Sequence, residues 1–216
     1  MNFNSRKSIR FILVSLLLVA SLWAVIFPMR TAEAKAKMDA QAFHDAMRKL
    51  WEDHIAWTRF VIVSVANDLP DSGPTVQRLL QNQDDIGDAI KPFYGDAAGE
   101  QLSALLRDHI LIAAEILQAA KSNDSTALND AIARWYANAD DIAVFLNHAN
   151  PENWPLDEMK MMMREHLDLT LQEAVAYLHG DYAASISAYD QIHLQILGMA
   201  DMLSDGIIRQ FPGKFK

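Results

Sequence analysis

The chain has 216 residues, a formal net charge of −9 and no cysteine. Without thiols there is no disulfide framework, thiolate metal site, thiol nucleophile, C-x-x-C-H haem attachment or acylated lipoprotein cysteine. The acidic balance argues against nucleic acid as a partner, since basic patches supply most of that affinity, and it suits cations or simple solubility.

Residues 1–34 read as a secretory signal peptide. Arg6, Lys7 and Arg10 form a basic n-region, Phe11 to Phe27 is a run of apolar and small residues, and Ala32-Glu33-Ala34 supplies an A-x-A cleavage pattern. The run is slightly short for a spanning helix, which needs about 20 residues. The alternative is an uncleaved anchor that associates with the membrane through residues 11–27. Either reading places the body outside the cytoplasm, as a secreted, cell-surface or periplasmic protein. Loss of this segment, which carries net +3, takes −9 to −12. Residues 35–216 remain, enough for one compact domain held by its own core.

Hydrophobic periodicity near 3.6 then runs almost throughout. A first helix is predicted over about 38–67, carrying Phe43, Met47, Leu50, His54, Trp57 and Val61 on one face. The string Leu69-Pro70-Asp71-Ser72-Gly73-Pro74 should end it. A second helix fits 75–91 through Leu79, Leu80, Gln83, Ile86 and Ile90, broken by Pro92 and Gly95. The third fits 97–121, with Leu102, Leu105, His109, Ile112 and Ile116. Ser122 to Ser125 is a turn and N-cap cluster. The fourth fits 126–147, the fifth 156–179 up to Gly180, and the sixth 182–210 up to Phe211-Pro212-Gly213. No segment alternates with period two. The expected fold is therefore all-α, an up-and-down antiparallel bundle of about six helices.

Four histidines, His54, His109, His166 and His193, fall in or beside the apolar stripes of four different helices. A buried imidazole needs a partner, because an unsatisfied polar group costs about 1–3 kcal/mol. Counting outward from each hairpin turn, at about 1.5 Å per residue, puts His109, the 135–138 stretch, His166 and His193 at one height. The same reflection sets His54 beside Asp85 and Asp88 and some residues away from that level. Glu173 follows His166 along one side of the fifth helix, and Asp190-x-x-His193 resembles half of the carboxylate-x-x-histidine pattern of di-metal bundles. These donors suit zinc, iron, manganese or copper(II). Glu173, Asp190, Asp141 and Asn138 are also candidates to hold the second ring nitrogens.

Other features are structural on this reading. Met159, Met161, Met162 and Met163 point in different directions round a helix, so at most two face one site, and core filling suits them. Trp51, Trp57, Trp135 and Trp154 are core and loop anchors, although a tryptophan-lined pocket with His109 or His193 as axial ligand would also suit haem. There is no H-E-x-x-H, nucleophile elbow or phosphate loop.

The strings Leu50-Trp51-Glu52-Asp53-His54-Ile55 with Trp57-Thr58-Arg59, Arg78 to Gln83, Asp85-Ile86-Gly87, Ala149-Asn150-Pro151 with Trp154-Pro155, and Met199 to Leu203 resemble a family of small exported or membrane-anchored helical proteins of bacteria and archaea. The resemblance covers nearly the whole mature chain and implies the helical fold and export. Members sometimes carry a glycosyltransferase label, which these residues do not support, since strand–helix nucleotide-binding alternation and a sugar-nucleotide carboxylate motif are both missing. The expectation is an exported bundle binding a divalent transition metal through His54, His109, His166, Glu173, Asp190 and His193, for binding, storage or sensing. The alternatives are an envelope interaction or structural protein whose core histidines are satisfied, and a bundle metalloenzyme or haem protein.

Overall fold

The structure, a computed structural model, describes residues 37–216; the signal-peptide reading of 1–34 and the anchor reading of 11–27 lie outside them. Six helices follow in order: α1 (Ala40–Ala66), α2 (Ser72–Tyr94), α3 (Asp96–Ser122), α4 (Ser125–Ala149), α5 (Leu156–Leu178) and α6 (Tyr182–Gln210). Among the described residues there is no strand, only a single bridge between Met38 and Phe215 that ties the two ends of the bundle chain together. None of the described helices is long and apolar enough to cross a membrane.

The helix boundaries follow from local chemistry. Asp39, Asp124 and Asp181 cap α1, α4 and α6, accepting from the N–H groups of Ala42 at 2.9 Å, Ala127 at 3.0 Å and Ala184 at 3.0 Å, donors that have no partner inside the helix. Gly180, at φ 78°, ends the fifth helix in a conformation that side chains disfavour. The second helix is longer than its sequence suggests. It starts at Ser72, because Pro74 falls in the first turn, where its missing N–H removes no hydrogen bond. It also runs through Pro92 to Tyr94 before Gly95 stops it.

Each helix packs against its successor, and α6 returns to α1. The pairings run in opposite senses along the chain. Between α1 and α6, Arg48 meets Asp201 and Glu52 meets His193. Between α3 and α4, Asn138 donates to the Leu105 carbonyl and Trp135 to that of His109. α2 and α3 cross in close contact at Gly87 and Gly99. A β-carbon on Gly87 would lie 2.5 Å from the Gly99 carbonyl oxygen, and one on Gly99 would lie 2.7 Å from that of Gly87. Side chains there would push the helices apart.

The apolar interior is divided in two. One cluster takes Met47, Trp51 and Ile55 from α1, Ile86 and Ile90 from α2, Leu102 and Leu106 from α3, and Met163 and Leu167 from α5. The other takes Val61, Ile62 and Val65, Leu79 and Leu80, Ile110 and Leu117, and Ala174. Buried polar residues stand near this division on each of these helices. Gln83 and His109 fall between the two clusters on α2 and α3, and His54 and His166 fall one residue before the last buried residues of the first cluster on α1 and α5, Ile55 and Leu167. The histidines are the seam between two cores.

Candidate functional site

His54, His109 and His166 are 3%, 3% and 4% exposed. They stand on α1, α3 and α5, which run in the same sense, and α1 touches both of the others across the ring of helices. The ring centres of His54 and His166 are 5.6 Å apart. Two imidazoles bound to one ion at about 2.1 Å through one nitrogen each have centres roughly 5 Å apart at a tetrahedral angle. His109 lies against Trp135 with ring centres 5.0 Å apart, and Trp51 meets His54 edge-on at 5.8 Å.

Each imidazole is backed by a carboxamide whose own orientation is set by helix carbonyls. The Asn138 NH2 donates to the Leu105 carbonyl at 3.0 Å, which leaves its oxygen to accept from His109 Nδ1 at 2.9 Å. In the same way the Gln195 NH2 donates to the Met162 carbonyl at 3.0 Å, and its oxygen accepts from His166 Nδ1 at 3.2 Å. Since the amide oxygens can only accept, both rings carry their proton on Nδ1. That fixes the tautomer and leaves each Nε2 with a bare lone pair. Among the described residues, neither Nε2 has a hydrogen-bond partner.

The third imidazole has a looser version of the same backing. The Gln83 NH2 is occupied by the Leu79 carbonyl at 2.8 Å and by Asn82 Oδ1 at 3.1 Å, and Asn82 in turn donates to the Leu50 carbonyl at 3.0 Å. Gln83 therefore turns an acceptor toward His54 and favours protonation of that ring. Yet Nδ1 of His54 and Oε1 of Gln83 are both buried without a well-formed hydrogen bond. So is the indole N–H of Trp51. These orphaned atoms mark where the layer is least satisfied.

Burial sets the charge state. Loss of hydration lowers the His109 pKa to about 3, with the His166 charge adding to the effect and Asn138 opposing it. Burial likewise lowers His166 to about 4, against Gln195. For His54, burial first and then the charges of His166 and His109 push the pKa well below its ordinary value. All three are neutral bases at pH 7, the form that binds metal.

The other residues expected at the site lie elsewhere. Glu173 is buried, but Arg59 Nη1 holds it at 2.6 Å and also donates to Ser185 Oγ at 3.3 Å. Burial raises its pKa to about 6 while Arg59 pulls the other way. A carboxylate committed to a guanidinium is not free for an ion. His193 sits at the right height on the wrong face. Its Nε2 meets Glu52 Oε1 at 2.7 Å on the surface, with 38% of the side chain exposed. Gln195, two positions later and so about 200° round the helix, is the residue that points inward. Asp190 shares the outer face with His193 and is exposed. Asp141 is exposed as well.

Gln83 and Gln195 escaped the sequence reading as partners. Gln83 stands within the apolar stripe of α2, and that position in the stripe is the one signal the sequence carries for it. Among the described residues, no group of three or more histidine, aspartate or glutamate side chains is gathered tightly enough to enclose an ion. No family model, curated protein or solved structure matches the chain.

Proposed function

We propose that this chain is an exported helical-bundle protein that binds a divalent transition-metal ion, zinc, iron, manganese or copper, through His54, His109 and His166. The observation that carries the reading is the repeated unit of imidazole, carboxamide and helix carbonyl. Ligating histidines characteristically donate their second N–H to such an outer partner, which orients the ring and raises its basicity. Neutral imidazoles with bare lone pairs are costly to keep in a buried layer unless a hydrogen-bond donor or a cation meets them. His54 and His166 have a spacing suited to sharing an ion, and His109, held by Asn138 on a third helix of the same layer, is the further ligand. Three neutral ligands leave a fourth position for water or an anion. Holding, storing or sensing an ion fits this interior better than catalysis, since no acid–base pair stands beside the imidazoles.

Export rests on the charge, apolar run and A-x-A site in residues 6–34, and it agrees with the resemblance to exported helical proteins. A second reading is supported by the open spacing of the three rings. In it the layer is a structural seam that fixes helix register between two apolar clusters, and the outer faces serve an envelope partner.

Elemental analysis of the protein purified without chelators separates the two. Stoichiometric metal that is lost when His54 and His166 are both replaced by alanine supports the ion site. Metal-free protein that also fails to take up added zinc, copper or manganese supports the seam.

A further inference from the structure

One helical turn beyond the histidine layer, an apolar pocket opens between α1, α2, α3, α4 and α5. The space available to the centre of a water molecule is about 40 Å³, whereas one water needs roughly 10–15 Å³ on that measure. Val61, Leu79, Ile110 and Trp135 form much of its wall, each 4% exposed or less. Thr58 and Thr170 supply the wall's only hydroxyl groups, and both are already committed. Thr58 Oγ1 donates to the His54 carbonyl at 2.8 Å, and Thr170 Oγ1 donates to the His166 carbonyl at 2.8 Å. Neither threonine has a free donor left for the pocket, whose lining is otherwise apolar apart from the Trp135 N–H. The Trp135 N–H is committed as well, to the His109 carbonyl at 3.1 Å.

A water inside needs two to four polar partners, and apolar cavities without them stay dry and take up apolar guests. We propose that this pocket is a binding site for a small apolar molecule of the size of dioxygen. The volume sets the scale of the guest: a cavity known to take up benzene measures roughly 150 Å³, well beyond what is available here. The lining sets the chemistry, because a polar guest would lose its hydration and find no free donor and at most two hydroxyl oxygens in exchange. Attraction is by dispersion with the surrounding side chains, which a void denies them. The inference stands on the pocket itself and does not depend on an ion in the neighbouring layer.

Xenon is the probe, a polarizable apolar atom of suitable size. The full chain, with its Ile, Leu and Val methyl groups labelled, is titrated with dissolved xenon and followed by methyl NMR. Saturable shifts confined to the Ile, Leu and Val methyl groups that line the pocket, those of Val61, Leu79 and Ile110 among them, are expected. Replacing Ala113, which also lines the pocket, by leucine should abolish those shifts; Ala114→Val serves the same purpose should the first variant not fold. Thr170→Val should retain them, since the hydroxyl plays no part in the pocket. Linear, unsaturable shifts would overturn the proposal, as would saturable binding that the filled variants keep or that maps to methyl groups outside the pocket wall.

Discussion

His54 and His166 face one another across the interior with ring centres 5.6 Å apart, each one residue before the last buried member its helix gives to the larger apolar cluster, Ile55 and Leu167. With His109 they are bases whose affinity for protons is suppressed by folding. The consequences reach stability, pH dependence and ion binding together.

Stability should fall with acid. A histidine of ordinary pKa 6.5 in the unfolded chain and about 3 or 4 in the fold leaves the unfolded state with more bound protons between those values. Its contribution is therefore intact above pH 6.5 and is lost as pH falls towards the folded value, at about 1.4 kcal/mol per pH unit for each such ring. Glu173 acts in the opposite sense, since its raised pKa of about 6 lets the fold bind the extra proton between its ordinary value of 4.5 and 6. Urea denaturation from pH 7.5 to 4 should show stability dropping below pH 6.5, most steeply below 4.5. A flat profile would mean that the rings titrate normally.

Asn138→Ala removes the acceptor of the His109 N–H in a buried place. It should destabilise the fold by about 1–3 kcal/mol and weaken ion binding by about 10–100-fold, as outer partners of ligating histidines do. Thermal melting with and without added ion reads both effects. The seam reading expects the first effect alone.

Arg59→Ala strands the Glu173 carboxylate in the interior. Breaking a buried pair by removing one partner costs about 3–5 kcal/mol, reduced here because Arg59 is 22% exposed. The loss should shrink at pH 5, where Glu173 takes up a proton, and Glu173→Gln should restore part of it at pH 7. Equal destabilisation at both pH values would show that the carboxylate does not feel the guanidinium.

His193→Ala should change stability by no more than about 0.5 kcal/mol, as exposed pairs such as Glu52–His193 usually do, and should leave ion content unaltered. Gly206→Ala should do real damage, because its β-carbon would fall 2.1 Å from Trp154 Nε1, while the Gly206 carbonyl accepts from Asn150 Nδ2 at 2.9 Å. Overpacking of this kind costs about 1–3 kcal/mol. Denaturant midpoints for the two variants make the comparison.

The six helices were legible because apolar residues recur with the helical period and polar turn clusters separate them. The α2 ends were not, since Pro74 and Pro92 look like breakers until their place in a first or last turn is known. Height in the bundle was legible for His109 and His166, as equal distances from a turn give equal levels in a hairpin. Rotation was not: His193 and Gln195 differ by two residues, and only packing decides which of them turns inward. His54 lies closer to the others than the reflection through the Pro70 turn places it, because that turn's centre is uncertain by a helical turn. The carboxamide behind each ring was hidden further, since a glutamine in an apolar stripe looks like a surface residue until its amide is seen bound to helix carbonyls.

X-ray absorption of the protein loaded with one equivalent of zinc tests the ion site most directly. A nitrogen shell at about 2.0–2.1 Å, with the multiple scattering of three imidazoles that drops when His109 is replaced by alanine, is the expected result. An all-oxygen shell, or zinc that washes away on a desalting column, would leave the three rings as a seam between two cores and nothing more.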